Sequence, residues 1–211
     1  MGRTFFARPS LVVARDLLGC VLVVDRPEGR VGVRLTEVEA YDGEADPGSH
    51  AFRGPTPRNT VMYGPAGHLY VYFTYGMHWC ANVVCGPNGV ATAVLLRGGE
   101  IVEGLDLARS RRPPAKSDRD LARGPARLAS AVGIGADDYG ADLCAPASGP
   151  DRPFQWVTRG RRPADDTIRT GPRVGISGAG GDSAAYPWRF WLEGEPTVSA
   201  YRPGKARRLE P

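Results

Sequence analysis

Hydrophobic residues recur at two different spacings along this chain. In "ARPSLVVARDLLG" Leu11, Ala14, Leu17 and Leu18 fall at helical intervals behind a proline, which predicts a short helix. From Cys20 to Gly43 the β-branched runs on either side of "RPEG" predict two strands joined by a turn. Residues 42–62, "DGEADPGSHAFRGPTPRNTVM", are rich in glycine, proline and polar side chains, so they predict a long loop; inside a compact domain such a loop is usually functional. A hairpin follows over "LYVYFTYGMHWCANVV", then a strand ending near Arg97 with a helix after it. "DRDLARGPARLASAVGI" predicts a helix interrupted by Gly124 and Pro125, and beyond Asp142 the pattern is strand and turn, clearest in "RTGPRVGIS" and "YPWRFWLEG". With no internal repeat and no composition shift that marks a linker, residues 1–211 are expected to form one domain.

Composition narrows the classes. No stretch approaches the roughly 20 apolar residues of a membrane span, and "MGRTFFARPS" lacks the apolar run of a secretion signal, so a cytoplasmic location is expected, nucleoid-associated in a bacterium. Cys20, Cys80, Cys85 and Cys144 show no metal-ligand spacing and are too few for a disulfide framework; four buried thiols and no metal are expected. The net charge is +4, a mild basic excess that suits a polyanionic partner. Only Lys116 and Lys205 among the 27 basic residues are lysines, leaving 25 arginines.

Candidate chemistry sits at two places. Side chains alternate along "VGVRLTEVEAY", so the pattern puts Glu37, Glu39 and Tyr41 on the face that carries Val31, Val33 and Leu35, with the carboxylates about 7 Å apart. Two carboxylates at the end of an apolar face suit general-base chemistry, but from this segment alone a strand leaving the core, its glutamates solvated or paired with arginines, is the preferred reading. In the hairpin, Tyr70, Tyr72 and Thr74 share one face and Val71, Phe73 and Tyr75 the other, with Gly76 at the turn. Tyr75 is expected at the tip, Tyr72 as a platform for a planar ring, and Phe73 and Trp79 as core. Asn82 on the returning strand has a donor and an acceptor with which to read a polar edge. His50 in the long loop carries no signal of its own.

Taken together, "TEVEAYDGEADPGSHAFRGPTPRN", "LYVYFTYGMHWCANVV", "AVLLRGGE", "RGPARL" and "RVGI" resemble, in order, the alkyladenine DNA glycosylase family. The resemblance implies an α+β domain: a curved, mostly antiparallel sheet surrounded by helices, with a protruding aromatic hairpin. It implies excision of alkylated or deaminated purines from double-stranded DNA without a cofactor, by a protein expected to be monomeric. By that resemblance Tyr75 is the wedge that flips the nucleotide, with Met77 beside it on the DNA. Tyr41, Tyr72 and His50 form the base pocket, and Asn82 excludes guanine. Glu39 activates the water, which Arg97 and the backbone carbonyl of Val174 help to hold; Glu37 supports from behind. Arg53, Thr56 and Arg58 are implied as phosphate contacts. Neither lysine lies in these blocks, so plain hydrolysis leaving an abasic site is expected. The alternative is a nucleic-acid binder without catalysis, its hairpin a stacking platform.

Overall fold

The computed structural model describes residues 1–145 and 154–204. Helices α1 (Arg3–Phe6) and α2 (Ser10–Leu17) open the chain. Pro9 sets the start of α2 with its fixed φ, and Val13, Ala14 and Leu17 form its buried side. Eight strands follow: β1 (Val21–Arg26), β2 (Gly29–Asp42), β3 (Leu69–Thr74), β4 (His78–Cys85), β5 (Thr92–Glu103), β6 (Phe154–Thr158), β7 (Ile168–Gly171) and β8 (Arg189–Leu192). Helices α3 (Leu105–Arg111) and α4 (Pro125–Val132) lie between β5 and β6. The fold is α+β, with every strand pair antiparallel in one open sheet ordered β3-β4-β5-β2-β1-β6; β8 joins it through β2 and β7 through β8. No described helix is long and apolar enough to cross a membrane.

β2 decides where the chemistry sits. Its first half pairs with β1, and at Glu37 to Glu39 β8 takes over on that side while β5 continues on the other. Strands on both flanks shield that stretch from solvent, which is how Glu37 and Glu39 come to be completely buried.

The alternation expected along β2 does not hold through its length. Thr36 is an extra residue opposite the step from Gly99 to Gly98, and Arg97 is extra opposite the step from Glu37 to Val38. Such bulges change the phase of a strand. Val31, Val33 and Leu35 therefore pack in the same core as Val38 and Ala40, and Glu37, Glu39 and Tyr41 point to the other face. The helices cover the first face, where Val13, Leu17, Ala108, Leu128 and Val132 meet Val71, Val83 and Leu96. The second face carries a smaller cluster of Ala51, Met62, Tyr70, Val84, Ala91 and Ala93 under the long loop.

Two boundaries differ from the sequence pattern. β5 runs past Arg97 to Glu103, because Gly98 and Gly99 accommodate the bulge instead of ending the strand: a Cβ on Gly99 would lie 2.4 Å from the Arg34 carbonyl oxygen. Gly124 and Pro125 begin α4 rather than interrupt it, since proline at the first helical position costs no hydrogen bond. Cys20, Cys80 and Cys85 are buried free thiols, whereas Cys144 is half-buried.

Candidate active site

On the second face, Glu39 sits at the centre of a set of fixed donors. Its Oε1 accepts the backbone N–H of Val174 at 2.7 Å, and its Oε2 accepts the Tyr41 hydroxyl at 2.9 Å and Arg97 Nη1 at 3.4 Å. A carboxylate oxygen has two lone pairs, so Oε1, with one intramolecular donor among the described residues, keeps one for a further partner. Val174 thus reaches Glu39 through its amide, whereas the expectation named its carbonyl.

Glu37 accepts four donors. Arg97 Nε (3.0 Å), Arg189 Nε (2.7 Å) and Ser199 Oγ (2.9 Å) donate to its Oε1, and the Ser199 amide (2.7 Å) to its Oε2. Three of the four donors converge on Oε1, two of them from Arg97 and Arg189, so Glu37 serves the arginines. Arg97 spans the pair: burial alone would lower its pKa, but Glu39 and Glu37 together raise it above the ordinary arginine value. A guanidinium enclosed by two buried carboxylates stays charged and fixes both.

Arg173, next to Val174, is fully buried and bonds through both terminal nitrogens to Asp46, at 2.5 and 2.6 Å. It also donates to the carbonyls of Ala40 (3.1 Å) and Gly180 (2.9 Å), and its guanidinium lies against the rings of Tyr41, Trp188 and Tyr186. Burial works to lower the Arg173 pKa; Asp46, chiefly, keeps it raised.

Next to Glu39, through Tyr41 whose hydroxyl it accepts, lies a cleft lined by Tyr41, His50, Tyr70, Tyr72, Asn82 and Ile176, about 360 Å³ of space partly open to solvent. Tyr72 stacks on Tyr70 with centroids 5.6 Å apart, and His50 meets Tyr72 edge-on at 4.6 Å. His50 Nδ1 shares a hydrogen bond with the Tyr70 hydroxyl at 2.9 Å, which leaves Nε2 as the ring's remaining polar atom. Burial against these rings, helped by the charge of Arg58, lowers the His50 pKa. Burial likewise pushes the Tyr70 hydroxyl up to about 12 and the Tyr72 hydroxyl higher still, so both are neutral at physiological pH. Asn82, buried, donates Nδ2 to the Tyr70 carbonyl at 3.2 Å; that bond fixes which way the amide faces. A roomier cleft around Arg8, Asp16, Cys20 and Arg161 lies at the opposite, β1–β6 side of the sheet and contains none of these groups.

The long loop is held by Asn59, whose Nδ2 donates to the carbonyls of His50 and Gly54 while its Oδ1 accepts the Thr56 amide. That leaves Arg53, Thr56 and Arg58 on the exposed side, Arg58 lying 5.6 Å over the Tyr72 ring. β3 and β4 pair from Leu69 with Val83 to Thr74 with His78. At their turn Tyr75 has φ 53°, the one positive value for a non-glycine residue among the described residues, and 85% of the residue is exposed. Met77 is 65% exposed beside it. Phe73, expected in the core, is instead 44% exposed and leans on the partly buried Trp79.

The structure brings Glu39, Arg97, Val174, Tyr41, His50, Tyr72 and Asn82 into one region and sets Tyr75, Met77, Arg53, Thr56 and Arg58 at the surface. Asp46, Arg173, Arg189, Ser199 and Tyr70 are parts of the site that sequence pattern did not reveal. Tyr70 alone carried a signal, as the alternate partner of Tyr72.

A buried carboxylate among fixed donors, close to a cleft of aromatic faces, can act as a general base beside a place for a planar group. The family model of the methylpurine-DNA glycosylases matches residues 4–196. A protein of Streptomyces avermitilis is 57% identical over 206 residues, covering 98% of this chain and 93% of its own. One of Leifsonia xyli is 60% identical over 206 residues (95% and 92%), and one of Nocardia farcinica 54% identical over 194 (90% and 85%). All three carry the provisional name 3-methyladenine DNA glycosylase. The chain belongs to the methylpurine-DNA glycosylase family and is, as such, a DNA glycosylase, a hydrolase of base-excision repair that binds DNA.

Proposed function

We propose that the protein flips alkylated or deaminated purines out of duplex DNA and hydrolyses the bond from base to deoxyribose with a water activated by Glu39, leaving an abasic site. The observation that carries this reading is that Glu39, held from three directions and bonded to Tyr41 of the aromatic cleft, takes one donor at Oε1 among the described residues. Water placed there, shared with the Val174 carbonyl, loses its proton to Glu39 as it attacks the anomeric carbon. Arg97 fixes the carboxylate and steadies the charge that develops as the base departs.

Substrate choice follows from the cleft. Tyr41 and Tyr72 present aromatic faces to the extruded base, and a cationic alkylated purine gains attraction over such faces. His50 offers one hydrogen bond to the base edge, and Asn82, its amide fixed, repels the exocyclic amine of guanine. Tyr75, with Met77, fills the space that the nucleotide leaves, while Arg53, Thr56 and Arg58 hold phosphates. Lys116 is exposed on the far stretch between α3 and α4 and Lys205 lies outside the described residues, so among the described residues no lysine amine is placed for a Schiff base, and the strand is expected to stay intact. Nothing in this cycle calls for a cofactor or a second subunit.

The test is release of free purine from duplexes carrying 3-methyladenine, hypoxanthine or ethenoadenine, wild type against Glu39→Gln. Release by the wild type, lost in the variant with DNA binding retained, is expected. Binding without release on all three lesions would leave a non-catalytic DNA binder.

A further inference from the structure

We propose that Arg173 and Asp46 are a positioning pair for the chemical step, holding the amide donor of Glu39 and the base cleft in register from one buried point; this rests on the reading of Glu39 as the base.

Asp46 lies in the long loop and is completely buried. Besides Arg173 it accepts the amides of Asp42 (3.2 Å) and Gly48 (2.8 Å), so it pins the loop to the end of β2 just before Ser49 and His50. Arg173 adds the Ala40 carbonyl, the residue between Glu39 and Tyr41, and the Gly180 carbonyl. Its guanidinium is packed 4.5 Å from the Tyr41 ring, the ring whose hydroxyl bonds Glu39. The next residue along is Val174, whose amide is the donor to Glu39 Oε1. One ion pair therefore touches the segments that carry Val174, Tyr41 and His50, yet Arg173 makes no hydrogen bond to Glu39 itself.

Two buried charges are costly to desolvate, and replacing such a pair by packed apolar groups is often neutral for stability. Stability alone is thus a poor reason for the pair, whereas precise placement of donors around a base is a good one: misplacement by about 1 Å can cost on the order of 100-fold in rate. The packing is correspondingly tight. A single Cβ added at Gly48 would lie 2.4 Å from Arg173 Nη2 and 3.2 Å from Asp46 Oδ1.

The experiment uses Asp46→Asn, which keeps the size of the side chain and removes its charge, and Gly48→Ala, which pushes on the guanidinium from the loop side. Single-turnover base release is followed at saturating enzyme across pH, alongside affinity for a duplex with an abasic site. Both variants are expected to lose about tenfold or more in rate with abasic-site affinity within about twofold. The acid limb of the rate profile is expected to move to higher pH, because a carboxylate that loses an N–H donor holds its proton more tightly. Rate and affinity falling together with the limb unmoved would mark the pair as merely structural and overturn the proposal, as would unchanged rates. Arg173→Lys, which keeps the charge without the fork, is expected to retain more of the rate than Arg173→Gln. Glu39→Gln run in parallel separates the two failures: if it stays active the base assignment is wrong, and if it is inactive while Asp46→Asn is fully active, the positioning role is wrong.

Discussion

The Val174 amide donates to Oε1 of Glu39 across 2.7 Å, joining residues 135 positions apart. The contact commits one lone pair of that oxygen and leaves the other, so the backbone amide sets the direction from which a water must approach. Glu37, two positions away on the same face, accepts four donors, two of them from Arg97 and Arg189. Glu39 is thus the carboxylate proposed to react, while Glu37 holds the two arginines in place.

Glu39→Gln tests the first role. An amide keeps the size and can accept one hydrogen bond but takes no proton, so base release is expected to fall by at least about 100-fold, the usual worth of a general base. Affinity for the lesion duplex should stay within a few-fold, as seen by fluorescence anisotropy. Turnover near the wild-type level would remove Glu39 from the mechanism.

Glu37→Ala tests the second. It strands Arg97 and Arg189 without their shared carboxylate in a buried place, and breaking such a pair from one side costs about 3–5 kcal/mol. Urea unfolding is the check. A loss under 1 kcal/mol would show that Glu39 or water can satisfy both guanidinium groups.

Much of this arrangement was legible in the sequence, and the part that was not has a definite physical cause. Period-two alternation located β2 and the β3–β4 pair, and it sorted Tyr70 and Tyr72 from Val71. It misplaced Glu37, Glu39 and Tyr41, because an extra residue at Thr36 resets the phase of β2 without leaving any mark in the hydrophobic pattern. Asp46 and Arg173 were invisible for another reason: 127 positions separate them, and only the closed fold shows that one neutralises the other. Phe73 followed the alternation rule but lies near the end of its strand, where the helix-side core has run out.

Tyr75 pays for its position with an unfavourable backbone, a bulky residue at φ 53° with its ring in solvent. Tyr75→Gly relieves that conformation and removes nothing buried, so thermal stability should hold or rise slightly. Excision from a paired lesion should fall, while affinity for an already abasic site barely changes. Equal losses on the two duplexes would argue against a wedge.

His50 gives the pH prediction. Its pKa is lowered, so between its folded value and the ordinary value near 6.5 the unfolded chain binds a proton that the native protein does not. Stability must therefore rise with pH across that window and be lost as pH falls through it. The ring that must stay neutral is the one bonded to Tyr70 and set edge-on to Tyr72, so protonation also disturbs the wall of the cleft. Melting temperatures of wild type and His50→Gln, taken from pH 7.5 down to 5, should converge as the acid is added, because the variant has no proton to take up there. Parallel curves for the two proteins would place the acid sensitivity on another group and leave His50 free to titrate as it does in the unfolded chain.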